Sequence, residues 1–583
     1  MSSIISLLSF CLAMTLPQAE PADSIHVWAV PSVHKVRPND PVQSANLVWS
    51  ERAKTVTVEG ARNEHVPFQV VISTTVPAMR RGRASSGFFV EVTDLTSPSG
   101  RIPRDRIRLY FEHAILCYAK SGPMGDTGFW PDALVPLTSP FSMASEFRTS
   151  VKNRAVWVDV VVPAGAPAGN YTGTITVSQA GKEVGQLKLM LTVYDFALPE
   201  ETHLITYMNI SRNWLQSVYE PRLSPGDLKA LLQKYYEFIY ANRMEPWFNE
   251  PLQPEISEAQ NGQIRVSFDE ELYNHYMNDL RTKRVLLETE PDKLRPSDRY
   301  PLFSEGFNRR IRTYLSQVTE FFRRHGWTNK LVFSSPIDEP NTAQDFADTR
   351  RWAGLVHESA PGIPFLVTKS PVSTHPEWGT LAGYVNNFSI HGNDLNSLAV
   401  KRAIREEQAK GDEITWYISC DQVYPQPNYF IDAPAMDPVM VPWITWKYGM
   451  NGILYWALNY WPQTKDPWLS PVTYLSGFLC SGGYVLNGEG SLLYPGDRAP
   501  RYTGQKAVDG PVSSIRFELL REGIEDYEYL WLLKSLGDGN FADESAASLV
   551  VDVRAFSRNV EDLFAARKRI ADRIVALRRA KRQ

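Results

Sequence analysis

Residues 330–340 read KLVFSSPIDEP, and a helix-patterned stretch, Asn341–Ser359, follows them. The run Leu331-Val332-Phe333 is apolar on both faces, as a buried strand must be, and it ends on Ser334-Ser335 and a proline. The same strand-then-helix unit recurs in both directions. Strand-type segments are LITYMN (204–209), RMEPWF (243–248), RVLLET (284–289), PFLVTK (364–369), YVNNFSI (384–390), EITWYIS (413–419) and GILYWAL (452–458). Helical stretches such as Pro225–Ala241, Asp269–Arg281 and Glu305–His325 lie between them. Eight strands with intervening helices over about 250 residues predict a (β/α)8 TIM-type barrel. A doubly wound open sheet shares the alternation but does not ask for eight strands.

Upstream the pattern changes. Short alternating runs, among them SIHVWAV (24–30), AKTVTVE (53–59), PFQVVIS (67–73), RAVWVDVVV (154–162) and QLKLMLTVY (186–194), are separated by Pro, Gly, Ser and Asp. They predict an N-terminal antiparallel β-sandwich over 24–198, ending at Ala197-Leu198-Pro199-Glu200. The barrel is then expected over 201–536, with a long connection (459–511), a strand-like SSIRFE (513–518) and a helix from Arg521 to Leu536. Residues 537–583 form a C-terminal helical tail, with Leu563, Ile570 and Ile574 at helical spacing and basic residues elsewhere.

Residues 4–16, IISLLSFCLAMTL, are uncharged and too short to cross a bilayer, which takes about 20 residues. With Pro17-Gln18-Ala19 they read as a signal peptide, 1–19, which predicts a secreted or periplasmic protein, although no Lys or Arg precedes Lys35. No later segment is apolar enough to span a membrane.

The 583 residues carry 61 Lys+Arg against 65 Asp+Glu, a formal charge of −4. That balance argues against nucleic acid as a partner, because phosphate neutralisation needs a basic surplus. Aromatic residues make up 12 %, with 16 Trp, 26 Tyr and 26 Phe; large aromatic-rich cores account for this on composition alone, and a sugar-binding cleft becomes the better reading only where the rings gather at a site. The four cysteines are widely spaced and make no disulfide framework, and no Cys/His cluster has metal-ligand spacing. HExxH, P-loop, GxGxxG and GxSxG motifs are absent, so neither a metal nor a cofactor is expected. Nothing in the sequence sets an oligomeric state.

Barrel chemistry sits at the carboxyl ends of the strands. There, Asp338 and Glu339 leave the fourth strand between Pro336 and Pro340. Two adjacent carboxylates suit general acid/base work, since burial and a charged neighbour can keep one protonated. The bland alternative is that one of them caps the helix that follows. Other strand ends offer Asn209, Asn249, Glu250, Thr368, His391, Trp416, Tyr417, Trp456 and Asn459. Each aromatic taken singly fits the core as well as a ligand, and His391 fits a structural hydrogen bond better than catalysis. Among these, Trp416, Tyr417, Trp456, Asn459 and His391 are the candidate substrate contacts.

Around Asp338-Glu339-Pro340 the sequence resembles the catalytic domain of glycoside hydrolase family 123, a group of β-N-acetylgalactosaminidases and relatives. The stretches WPDALVPL (130–137), AGNYTG (168–173), GILYW (452–456) and SIRFELLREGIEDYEYL (514–530) carry the resemblance over most of the chain. It implies a retaining mechanism in which the substrate's own 2-acetamido group attacks the anomeric carbon. Asp338 would orient and polarise that group, and Glu339 would act as general acid and then base. Carboxyl separations that diagnose ordinary retaining and inverting enzymes would not apply. Tyr417 is placed to donate to the acetamido carbonyl, and Trp416 or Trp456 to stack on the sugar. One departure is Asn386-Asn387-Phe388, where an Asp and an aromatic residue are expected. Arg516, Glu518 and Arg521 are expected in an interior ion-pair network.

The expected function is therefore a secreted retaining exo-glycosidase for a terminal β-linked 2-acetamido sugar, N-acetylgalactosamine favoured, acting on a glycan or glycoconjugate. A glycosidase for a non-acetamido sugar with a conventional carboxylate nucleophile is the alternative within hydrolysis. A non-catalytic carbohydrate-binding protein is the alternative outside it.

Overall fold

The computed structural model describes residues 25–582 apart from 75–86, 144–151, 220–222, 248–249, 261, 374 and 465. The expected signal peptide (1–19) and Asn249 lie outside the described residues.

The N-terminal part folds as two facing sheets. One runs, in spatial order, Ile25–Pro31, His65–Thr74, Asn153–Val161, Ile107–Cys117, Gly128–Pro136, Pro511–Ser514 and Tyr494–Pro495. The other is built around Thr55–Arg62, Lys182–Ala197 and Gly169–Gln179. Thr55–Arg62 shows the half-buried strand pattern: Val56 and Val58 point inward, Thr57 and Glu59 outward. Two features depart from the expected sandwich. Lys182–Ala197 pairs parallel to Thr55–Arg62, so the sheet is mixed. The first sheet also borrows its last two strands from beyond residue 490, through the Ser513–Leu134 register.

The second half is a parallel sheet of seven strands, not the expected closed eight-stranded barrel. We label them β1 (Ile205–Met208), β2 (Val285–Glu288), β3 (Leu331–Ser334), β4 (Phe365–Val367), β5 (Asn387–His391), β6 (Glu413–Ile418) and β7 (Gly452–Tyr455). Their spatial order is β1-β7-β6-β5-β4-β3-β2. The segment at 243–248, expected as the second strand, makes one bridge, Met208 to Pro246. Pro246 has no N–H to donate to a ladder, and Arg243 sits at φ 62°. On the β2 side the Glu245 carboxylate stands in for a strand edge, accepting the N–H groups of Lys283 (3.1 Å) and Arg284 (3.3 Å). A carboxylate thus satisfies what a proline-interrupted strand cannot.

Helices α1 (Pro225–Ala241), α2 (Glu305–Arg324), α3 (Ala343–Ser359), α4 (Leu398–Lys410) and α5 (Met436–Lys447) cover the sheet. Ser224, Ser304 and Ser397 cap α1, α2 and α4 by accepting a first-turn N–H. Next come α6 (Ile515–Ser535), α7 (Gly539–Leu549) and α8 (Val560–Arg582). SSIRFE is strand only to Ser514, whose hydroxyl caps α6 by accepting Phe517 N–H, so that helix starts six residues before the expected Arg521. Gly523 lets α6 lie directly on α5; a Cβ there would meet Val439 O at 2.4 Å.

The expected interior ion pairs are present, but they join the two halves of the chain. Arg516, fully buried, binds Asp132 of the first sheet through Nε–Oδ1 (2.8 Å) and Nη2–Oδ2 (2.7 Å). Its remaining N–H groups go to the carbonyls of Tyr429, Gly488 and Ser491, and Tyr494 donates its hydroxyl to Asp132. Arg521 bonds Glu518, Asp159 and Asn242. Two of the distinctive sequence stretches, WPDALVPL and SIRFELLREG, thus meet in one satisfied buried pair. Cys420 is disulfide-bonded, which the cysteine spacing did not suggest, whereas Cys117 is a buried free thiol. Among the described residues no helix is long and apolar enough to cross a membrane, and no His/Cys/Asp/Glu group could hold a metal ion.

Candidate active site

The carboxyl ends of β1 to β4, β6 and β7 surround a cleft of about 700 Å3. That volume lies within the ordinary range for small-molecule sites, ~300–1,000 Å3. Asp338 and Glu339 stand on its wall, in the loop between β3 and α3. They do not cap the helix. Thr342 does, in a reciprocal box in which its hydroxyl accepts Asp345 N–H (3.1 Å) and the Asp345 carboxylate accepts Thr342 N–H (2.9 Å). The capping explanation for the two acids therefore falls away.

Thr368, one residue past β4, holds both. Its hydroxyl donates to Asp338 Oδ1 (2.7 Å) and accepts Glu339 N–H (2.9 Å). Glu339 adopts φ 44°, a left-handed conformation that costs a non-glycine residue about 1–3 kcal/mol and persists only when its surroundings enforce it. Tyr417, at the end of β6, donates its hydroxyl to Glu339 Oε1. Burial, with the charges of Glu339 and Asp338, pushes the Tyr417 phenol far above its usual range, so it remains a donor. His391 packs edge-on behind that ring at 5.0 Å. Its Nε2 pairs with Asp421 (3.0 Å) while Nδ1 accepts Asn393 N–H, which fixes the tautomer. Burial acts to lower the His391 pKa, but the hydrogen bond and charge of Asp421, helped by Glu339, raise it above the ordinary histidine value.

The remaining candidates separate by strand geometry. Trp456 faces the cleft and is half-buried; its indole N–H donates to Glu489 (2.6 Å), and Gly490 lies flat against the ring, where a Cβ would sit 2.5 Å away. Burial pushes the Glu489 carboxyl up to about 7, against the pull of Trp456 and Arg516. Trp416, next to Tyr417 on β6, points to the opposite face and is buried, donating to Thr445 of α5 (2.8 Å). Asn459 is fully buried and clasps the Ser211 backbone through both amide atoms, outside the cleft. Asn386 and Asn387 lie at the amino end of β5, bonded to Phe365 N–H and Glu413, at the opposite end of the sheet from Asp338. That departure from the expected pattern does not reach the cleft.

Residues 268–533 match the family profile described as glycoside hydrolase 123, catalytic domain, and residues 43–179 match the glycoside hydrolase 123 N-terminal domain. The chain belongs to glycoside hydrolase family 123. It is accordingly a glycosidase. A family 123 glycoside hydrolase from Clostridium perfringens, studied for glycolipid glycan hydrolysis, superposes with a TM-score of 0.68 at 14 % identity. The match covers 95 % of this chain and 98 % of that one, so the two share a fold. A Bacteroides ovatus family 5 xyloglucanase, at 9 % identity over 71 % of this chain and 95 % of its own, reaches only 0.26. A search among curated proteins returned no match.

Several cleft residues of this family 123 chain escaped sequence reading. Trp214 and Trp247 form an aromatic wall with Trp456; the Trp214 and Trp456 rings cross at 6.1 Å and 77°. Glu288 closes β2, and Thr289, Glu290 and Arg295 follow it into the cleft. Burial raises both acids, Glu290 to about 7, with Arg295 opposing in each case. The strand-end rule that found Asp338 would have found Glu288 had it been applied to RVLLET. Trp214 carries no such mark, because it sits on a helix of eight residues, Arg212–Tyr219, after β1.

Proposed function

We propose that this family 123 enzyme is a retaining exo-glycosidase that removes a terminal β-linked 2-acetamido sugar, N-acetylgalactosamine favoured, by substrate assistance. The observation that carries the proposal is the side-by-side pair Asp338-Glu339 held in one cleft by a single hydroxyl, Thr368. Adjacent carboxylates leave no gap for a water or a sugar between them, which suits a reaction whose nucleophile belongs to the substrate. The acetamido oxygen attacks C1 while the Asp338 carboxylate accepts a hydrogen bond from the acetamido N–H, which orients and polarises the group. Glu339 gives its proton to the glycosidic oxygen, the C1–O bond breaks, and the leaving alcohol departs. Water then adds to C1 as Glu339 takes its proton back, and the acetamido group is restored with configuration retained. Tyr417 steadies Glu339 through this exchange, a different role from the acetamido contact expected of it. The glycan of a glycolipid, the substrate class named for the Clostridium perfringens relative, is the natural first candidate. The disulfide at Cys420 supports export to an oxidising compartment.

Glu288 and Glu290 on the same cleft keep the alternative of a conventional carboxylate nucleophile in view. A panel of chromogenic β-glycosides separates the two readings. Activity confined to 2-acetamido substrates, abolished by Asp338→Asn and blocked by a thiazoline that mimics the cyclic intermediate, is expected. Turnover of a 2-hydroxy sugar that is insensitive to the thiazoline and lost in Glu288→Gln or Glu290→Gln would establish the conventional mechanism instead.

A further inference from the structure

At the opposite end of the parallel sheet from Asp338 lies a second depression, of about 600 Å3. Its floor is the start of β1 and the residues leading into β7, Ile205 and Asn451, and its walls come from α4, α5, α6 and α7. The strands themselves separate it from the catalytic cleft by at least about 10 Å. Three cations line it: Arg405 of α4, Lys447 at the end of α5 and Lys534 near the end of α6. Among the described residues none of the three has an ion-pair partner within 4.0 Å. Asp543 is the carboxylate on the wall; it accepts the Trp446 indole N–H at 3.0 Å and keeps its charge, so the cations outnumber it three to one, while His203, also on the wall, is turned to the buried Glu528 at 2.7 Å. In a chain with a net charge of −4, gathering unpaired cations in one concavity makes a local positive field that favours an anion.

The same wall carries rings. Trp446, Tyr448 and Tyr527 line the depression; Trp446 and Tyr527 meet edge to face at 5.1 Å, and Lys534 Nζ hangs 5.8 Å from the Trp446 ring. A bare phosphate or sulfate ion has no use for aromatic faces. A sugar has, because the apolar face of its ring packs on an indole while its hydroxyls stay wet. We infer that this depression is a non-catalytic binding site for an anionic sugar, one bearing a carboxylate or a sulfate ester. It would hold a glycan chain at one end of the molecule while the cleft at the other end works on a separate terminus.

The test uses the full chain carrying Glu339→Gln, with the catalytic cleft filled by a thiazoline so that binding there does not register. Isothermal titration is run with methyl N-acetylneuraminide, N-acetylglucosamine 6-sulfate, neutral N-acetylglucosamine and inorganic sulfate; the first two separate carboxylate from sulfate. Saturable binding of at least one anionic sugar, at least tenfold tighter than the neutral sugar and inorganic sulfate, is expected. Arg405→Ala with Lys534→Ala should weaken it at least tenfold, and raised salt should weaken it in the unsubstituted site. Lys447→Gln serves as a milder second variant, and thermal melts verify that each variant is folded. Absence of saturable binding, binding unchanged by both variants, or inorganic sulfate binding as tightly as the sugars would overturn the inference. Sedimentation with phosphatidylserine vesicles that depends on Arg405 and Lys534, with no sugar bound, would also overturn it and assign a lipid surface.

Discussion

Replacing Thr368 by valine removes one oxygen and almost no volume, yet that oxygen serves both acids. In the folded protein it donates to Asp338 at 2.7 Å and accepts from the Glu339 backbone at 2.9 Å. A hydrogen bond to a charged group contributes about 1.5–3 kcal/mol net. With each ~1.4 kcal/mol amounting to tenfold in rate, losing the Asp338 bond alone should lower kcat by about ten- to a hundredfold. The second bond matters in another way. Glu339 sits at φ 44°, and with its N–H released the peptide is free to relax toward ordinary backbone conformations, carrying the carboxyl away from its place against Tyr417. The valine variant should therefore lose kcat with little change in KM, and its melting temperature should move little, because relief of the strain at Glu339 offsets the hydrogen bonds that are lost. Steady-state kinetics on whichever aryl glycoside the wild type turns over, beside a thermal melt, reads both effects. Thr368→Ser restores the hydroxyl and should recover most of the rate. A valine variant within twofold of wild type in kcat would refute the argument that this hydroxyl holds the acids in place, as would a serine variant no better than valine.

Arg516→Met should destabilise the protein by about 3–5 kcal/mol in urea unfolding, because it strands Asp132 in a fully buried position; adding Asp132→Leu should recover much of that loss. A histidine with a raised folded pKa contributes stability that is full below about 6.5 and fades as pH rises through the folded value, whereas the depressed Asp421 contributes above about 3.9 and loses it on acidification. The His391–Asp421 pair should thus be strongest between about pH 4 and 6.5, and Asp421→Asn should shift the His391 ring resonance titration downward in NMR. Glu290, raised to about 7, has the opposite sign: its ionisation weighs on the folded state as pH climbs from about 4.5 through 7. Glu290→Gln should therefore raise the melting temperature relative to wild type more at pH 8 than at pH 5.

How far the site could be read from residues alone follows from what each residue needs. Asp338 and Glu339 were legible because two acids leaving a buried strand between prolines have few uses. Trp416 and Tyr417 were not separable by composition; once the strand register is known, alternation sends Tyr417 to Glu339 and Trp416 to Thr445. Asn459 looked like a ligand contact from its position, yet a fully buried amide must satisfy its own donors and acceptor, and it does so on Ser211. Trp214 was invisible because its place on the cleft depends on where a short helix lands after β1.

The fold divides the same way. Strand and helix alternation, caps at Ser224, Ser304 and Ser397, and the apolar face of α8 are local properties, decided by neighbouring residues along the chain, and the sequence determined them by itself. Whether the parallel sheet closes is not local. It turns on how 243–248 meets β1 and β2 at once, and there Pro246 withholds a donor while the Glu245 carboxylate takes up the neighbouring N–H groups. Tyr494–Pro495 and Pro511–Ser514 likewise join the first sheet, and Arg516 reaches across 384 positions to Asp132. Such partners are chosen by which buried polar groups can satisfy one another in space, and only the tertiary structure brings them together.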